Sequence, residues 1–183
     1  MISDSRLLIV GGSGRNVGKT EFVCRLIQKI STRHEVFALK VSAVFPDEET
    51  CHGDHAGDTS NGCLFEEIRR DTAKDTSRML RAGACRVFYL RSGDAGILNG
   101  FVEFKRQVPP DSVIVCESNS LVRFVNPGLF ILVKAKQGSV KARVRSLLDR
   151  ADMVVISRGE AGFPELERIA LNQNNSWMLV DKK

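Results

Sequence analysis

Short apolar runs alternate with amphipathic segments along almost the whole chain. Leu7-Leu8-Ile9-Val10, Val113-Ile114-Val115-Cys116 and Met153-Val154-Val155-Ile156 have the length and composition of core strands. Between them, Thr20 to Ile30 places Phe22, Val23, Leu26, Ile27 and Ile30 at helical spacing. The pattern predicts strands at 6–11, 35–42, 85–91, 112–117, 128–134, 152–157 and 176–180. It predicts helices at 18–32, about 72–83, near 95–106, 139–150 and 164–173. Strand-helix alternation of this kind implies an α/β fold, three layers deep, with a mostly parallel sheet flanked by helices. Right-handed crossovers then put the strands' carboxyl ends on one edge, where open α/β sheets bind ligands. Residues 43 to 66 break the rhythm with a connection too long for an ordinary loop, which points to a functional or mobile segment, or both.

The first strand runs directly into Gly11-Gly12-Ser13-Gly14-Arg15-Asn16-Val17-Gly18-Lys19-Thr20, ahead of the first helix. That order is the layout of a phosphate-binding P-loop, with Ser13 where the usual pattern has glycine. Glycines let backbone N–H groups turn inward around a phosphate, and the helix start adds unpaired donors and the positive end of its dipole. The loop from Gly12 through Ser13, Gly14, Arg15, Asn16, Val17 and Gly18 is therefore the candidate phosphate cradle. Lys19 is positioned for the β- and γ-phosphates and Thr20 for Mg²⁺. The fold class sharpens accordingly to a single P-loop NTPase domain over residues 1–183.

With 183 residues and 43% hydrophobic content, the chain builds one substantial core. No apolar run approaches the roughly 20 residues that span a bilayer, so no membrane partner is expected. The opening MISDSRLLIV does not read as a signal peptide. Five cysteines, with Cys24, Cys85 and Cys116 inside predicted core elements, suggest reduced thiols and a cytoplasmic protein. The net charge of +5 suits an anionic ligand, and without a basic block interleaved with aromatics nucleic acid is a minor alternative.

Two further segments bear on the site. The second predicted strand ends in Ala38-Leu39-Lys40, and after the long loop comes Asp71-Thr72-Ala73-Lys74-Asp75-Thr76-Ser77-Arg78, then Ala82-Gly83-Ala84. Thr72 or Asp71 is placed to cap the helix, and Gly83 suits its C-terminal turn. Together with the loop ending Asn16-Val17-Gly18-Lys19-Thr20, this order resembles the MobB family, the P-loop adaptors of molybdopterin-guanine dinucleotide biosynthesis. The resemblance covers residues 6 to 92 and lies most specifically in the P-loop and the Lys74-Asp75 segment. It implies GTP binding, ahead of ATP, with slow Mg²⁺-dependent hydrolysis, a homodimer, and a partner enzyme in molybdenum cofactor biosynthesis. Carried over by position, Gly14, Asn16, Gly18, Lys19 and Thr20 hold the phosphates, while Lys40, Asp71, Lys74 and Asp75 line the site or its dimer face. Some dimeric relatives carry, at the position of Gly14, a lysine that reaches across the dimer, a device this chain lacks.

The second half departs from the family. Where the family has an acidic residue followed by Gly-Phe-Lys, this chain reads Glu117-Ser118-Asn119-Ser120. Glu117 keeps the carboxylate and is a candidate to hold Mg²⁺ or, like Asp75, to orient an attacking water. Ser157-Arg158-Gly159-Glu160 lacks the Asn-Lys-x-Asp sequence that reads guanine, so ATP stays open. Cys51, His52, His55 and Cys63 in the long loop offer two thiols and two imidazoles for Zn²⁺, in a spacing unlike the strong zinc patterns. The alternatives to a MobB-like protein are an ATP-dependent small-molecule kinase or ligase, a metallochaperone-type NTPase using the Cys/His loop, and a scaffold that binds nucleotide without turnover.

Overall fold

The computed structural model describes residues 1–43, 63–136, 142–157 and 162–181. Among the described residues seven strands form one sheet: β1 (Ile2–Gly12), β2 (Val36–Ala43), β3 (Cys63–Glu67), β4 (Arg86–Ser92), β5 (Val113–Glu117), β6 (Val125–Ala135) and β7 (Met153–Ser157). Their order across the sheet is β3-β4-β2-β5-β1-β6-β7, and every pairing is parallel except β3 with β4. Among the described residues four helices flank it: α1 (Lys19–Ile30), α2 (Asp75–Arg81), α3 (Asp94–Gln107) and α4 (Ala142–Leu148). The expected three-layer α/β fold is present.

Alternation explains why the strands read as continuous apolar runs. Leu8 and Val10 pack on one face with Phe22, Val23 and Ile27 of α1 and Met79 of α2. Leu7 and Ile9 pack on the other with Ile97, Phe101 and Phe104 of α3. Both faces are covered there, so the consecutive residues Leu7 to Val10 of β1 and Val113 to Glu117 of β5 are all buried. Burying each large side chain contributes about 1.5–3 kcal/mol, and this double layer is what fixes the sheet edge in space.

Three expectations need correction. The end of the long loop is an antiparallel edge strand, β3, fastened by Arg86 Nε to Glu66 Oε1 at 2.7 Å and by the Phe65–Tyr89 pairing. Five residues of mixed polarity at an edge carry too weak an alternation to stand out. The segment expected as a helix at 164–173 is a 3₁₀ turn, Pro164–Arg168, followed by strand β8 (Ile169–Leu171). The terminal strand, β9 (Trp177–Leu179), joins β8 in a separate hairpin instead of extending the main sheet. Trp177 explains that position: its ring is buried against the α1 side of the core and its Nε1–H donates to Arg6 O at 2.8 Å. Also, α2 starts at Asp75 with no side-chain cap, so neither Thr72 nor Asp71 caps it; Thr72 Oγ1 instead accepts from Lys74 N at 3.3 Å. Gly83 does sit past its C-terminus with positive φ, as expected.

The chain leaves β1 for β2 on one side and leaves β5 for β6 on the other, while β1 and β5 lie side by side. Between such strands the connections diverge and open a crevice at the carboxyl edge. Among the described residues no helix is long and apolar enough to cross a membrane.

Candidate functional site

The glycine-rich loop occupies that crevice. Its root is tied to β6 and to the segment after β5: Ser13 N donates to Val133 O of β6 at 2.9 Å, and Gly12 is gripped twice by Asn119. Gly12 N donates to Asn119 Oδ1 at 2.7 Å and Asn119 Nδ2 donates back to Gly12 O at 3.0 Å. The turn into α1 needs left-handed backbone at Asn16 (φ 57) and Gly18 (φ 89). At Gly18 a Cβ would also stand 2.8 Å from Ser157 Oγ, so glycine is required there for two reasons. Gly18 caps α1 with no side-chain bond, which leaves the first-turn N–H groups and the positive end of the helix dipole facing the loop.

Lys19 and Thr20 turn toward β5 and β2. Thr20 Oγ1 donates to Glu117 Oε2 at 2.8 Å, and Lys40 Nζ donates to Glu117 Oε1 at 3.0 Å. Lys40 also donates to Asp75 Oδ2 at the start of α2. The register brings them together: Val10, Glu117 and Lys40 are neighbours across β1, β5 and β2, near the strands' carboxyl ends. Glu117 is buried, 5% exposed, with both oxygens engaged.

The charges are balanced against burial. Burial works against the Lys40 ammonium, yet Glu117 and the Asp75 hydrogen bond outweigh it and hold its pKa above the usual lysine value. Burial likewise opposes the Asp75 carboxylate, and Lys40 more than compensates, holding it below the ordinary range. Lys19 is different. Burial lowers its pKa; Glu117 offsets part of that and the nearby Lys40 charge adds to it. Its ammonium donates to Gly14 O at 2.8 Å, a neutral acceptor on its own loop. A buried cation held this way gains most from an arriving anion.

These groups open onto a cavity of about 890 Å³ lined by the loop from Arg15 to Thr20 together with Lys40, Asp75 and Glu117. Of the residues singled out from sequence, Gly12, Ser13 and Gly14 form the anchored root of the loop, beneath the lining residues. Asp71 and Lys74 do not join them. Asp71 is exposed and pairs with Arg69 at 3.0 Å, and Lys74 is exposed ahead of α2. Cys51, His52 and His55 lie outside the described residues, as do Arg158, Gly159 and Glu160. Cys63 lies on β3, in register with Arg91. Among the described residues no group of three or more His, Cys, Asp or Glu side chains is placed to hold a metal ion.

Sequence reasoning did not find the Asn119 clamp, nor the brace between α1 and α2. Glu21 accepts from Arg78 Nη2 at 2.7 Å and from Arg25 Nε at 2.8 Å, and Arg25 in turn lies over the Phe163 ring. The clamp and the Glu21–Arg78 contact join residues far apart in sequence, which no local spacing signals. No family model, curated protein or solved structure matches this chain.

Proposed function

We propose that the protein binds a Mg²⁺–nucleoside triphosphate and hydrolyses it slowly, in the manner of the MobB-like P-loop adaptors its first half resembles. One observation carries the reading. Lys19 and Thr20 from the loop meet Glu117, Lys40 and Asp75 from three other elements at one sheet edge. Loop N–H groups and Lys19 would neutralise the β/γ charge, and the Thr20 hydroxyl, which donates to Glu117, would be one of the groups that hold Mg²⁺. Glu117 and Asp75 supply carboxylates to hold the ion through water or to orient the attacking water. Binding GTP ahead of ATP, pairing as a homodimer, and serving a partner enzyme of molybdenum cofactor biosynthesis rest on the resemblance, and a cytoplasmic location rests on the cysteine usage.

Phosphate release from Mg²⁺-GTP and Mg²⁺-ATP tests this. The expected result is slow, metal-dependent turnover that Glu117→Gln reduces by about 10²-fold. Turnover that is rapid and requires an added metabolite would instead favour a kinase or ligase, and wild-type protein with no affinity for either nucleotide would overturn the proposal.

A further inference from the structure

The face of the sheet that packs against α1 and α2 is apolar until it passes the helices. On β2, Val36 and Ala38 give way to Lys40 and Ser42; on β4, Val87 gives way to Tyr89 and Arg91. These four are paired in register, Lys40 with Tyr89 and Ser42 with Arg91, and all four line the cavity. Tyr89 and Arg91 are half-buried, so the guanidinium is held in a partly desolvated wall, where charge-assisted hydrogen bonds strengthen.

Their place relative to the loop gives this wall a meaning. Gly18 abuts Ser157 of β7, while the Thr20 hydroxyl turns the other way, to Glu117. In a P-loop, the lysine and the Thr hydroxyl mark the terminal-phosphate end of the nucleotide. Beyond that end the wall includes, among the described residues, Tyr89 and Arg91. Two strand steps and two residues along β4 put the Arg91 backbone about 12 Å from that of Glu117. A small molecule can bridge that span.

We propose that the β2/β4 end of the cavity is a second binding site for a small oxyanion-bearing molecule, a carboxylate or a phosphate, held next to the terminal phosphate. Arg91 contributes a charge-assisted hydrogen bond to the oxyanion from one of its five N–H donors, and the Tyr89 and Ser42 hydroxyls supply further hydrogen bonds. Ser42 and Arg91 set which molecule is accepted. This rests on the nucleotide reading above, because the terminal phosphate defines where the second ligand sits.

The test loads the protein with Mg²⁺ and the β,γ-imido analogue of GTP or ATP, filling the P-loop, and then titrates inorganic phosphate and succinate separately by calorimetry. Saturable binding of one or both is expected, and the two probes separate a phosphate site from a carboxylate site. Arg91→Gln weakens that binding roughly tenfold or more, the loss of a charge-assisted contact. Ser42→Asp, which sets a carboxylate beside Arg91, gives the same loss and decides the matter if Arg91→Gln fails to load the analogue. Loaded wild-type protein that binds neither anion, or variants that bind as tightly as wild type, would overturn the second site alone. Wild-type protein that cannot be loaded would overturn the nucleotide reading and this inference with it.

Discussion

Replacing Lys40 with methionine keeps the hydrocarbon stem and removes only the ammonium that joins Glu117 to Asp75. The Lys40 side chain is 19% exposed and that of Glu117 only 6%, with Nζ 3.0 Å from Oε1. Breaking a buried ion pair from one side costs about 3–5 kcal/mol, because the remaining charge is left without compensation. Asp75, at 37% exposure, can recover water, so only Glu117 is stranded and the loss falls to about 2–3 kcal/mol. For a chain of this length that is a fall in Tm of roughly 5–10 °C. Urea unfolding of Lys40→Met, Glu117→Gln and the double variant measures it. The double variant should recover at least about 1 kcal/mol relative to the sum of the singles, since both charges leave together.

The pH dependence has a definite sign. Asp75 is depressed, so its contribution is present above its usual 3.8 and lost as pH falls through its lower folded value. Lys40 is raised, so its contribution is present below its usual 10.5 and lost as pH rises through the higher folded value. The stability curves of wild type and Lys40→Met therefore converge at both extremes and differ most between them. A Lys40→Met protein within about 0.5 kcal/mol of wild type at pH 7, or strict additivity in the double variant, would refute the reasoning.

Two other outcomes follow from the same geometry. Gly18→Ala combines a left-handed backbone with a Cβ 2.8 Å from Ser157 Oγ; calorimetric unfolding should show a loss of about 1–2 kcal/mol, and nucleotide affinity should fall because the turn into α1 shifts. Burial pushes the Cys24 thiol up to about 11, so alkylation mapped by mass spectrometry at pH 8 should modify exposed Cys85 and spare Cys24. The stability linked to this thiol is present below about 9 and lost as pH rises to about 11.

Much of this architecture was legible because its signals are local. The run Leu7 to Val10, the glycines after it and the helical spacing from Phe22 to Ile30 sit within one short stretch, and the structure forms strand, loop and helix there. Glu117 was legible as a carboxylate closing an apolar strand, and β5 does lie against β1. What escaped depends on direction and distance. Asp71 and Lys74 are near the site in sequence, but the turn before α2 points them to the surface, while Asp75 one residue on reaches Lys40. Leu166 and Ile169 are three apart, a spacing that also suits a helix, and only the pairing of Ile169 with Leu179 across the hairpin makes the second of them part of a strand. Asn119 pairs with Gly12 over more than half the chain, a contact that exists only once β1 and β5 are adjacent.

The central claim is that this loop binds a nucleotide's phosphates through Lys19. Isothermal titration of Mg²⁺-GTP and Mg²⁺-ATP into wild type and Lys19→Ala tests it most directly, with thermal unfolding confirming that the variant is folded. The account predicts saturable binding of at least one nucleotide to wild type and its loss by about 10²-fold or more in Lys19→Ala, the cost of leaving a desolvated phosphate charge without its cation. Equal affinity of both proteins for both nucleotides would contradict it.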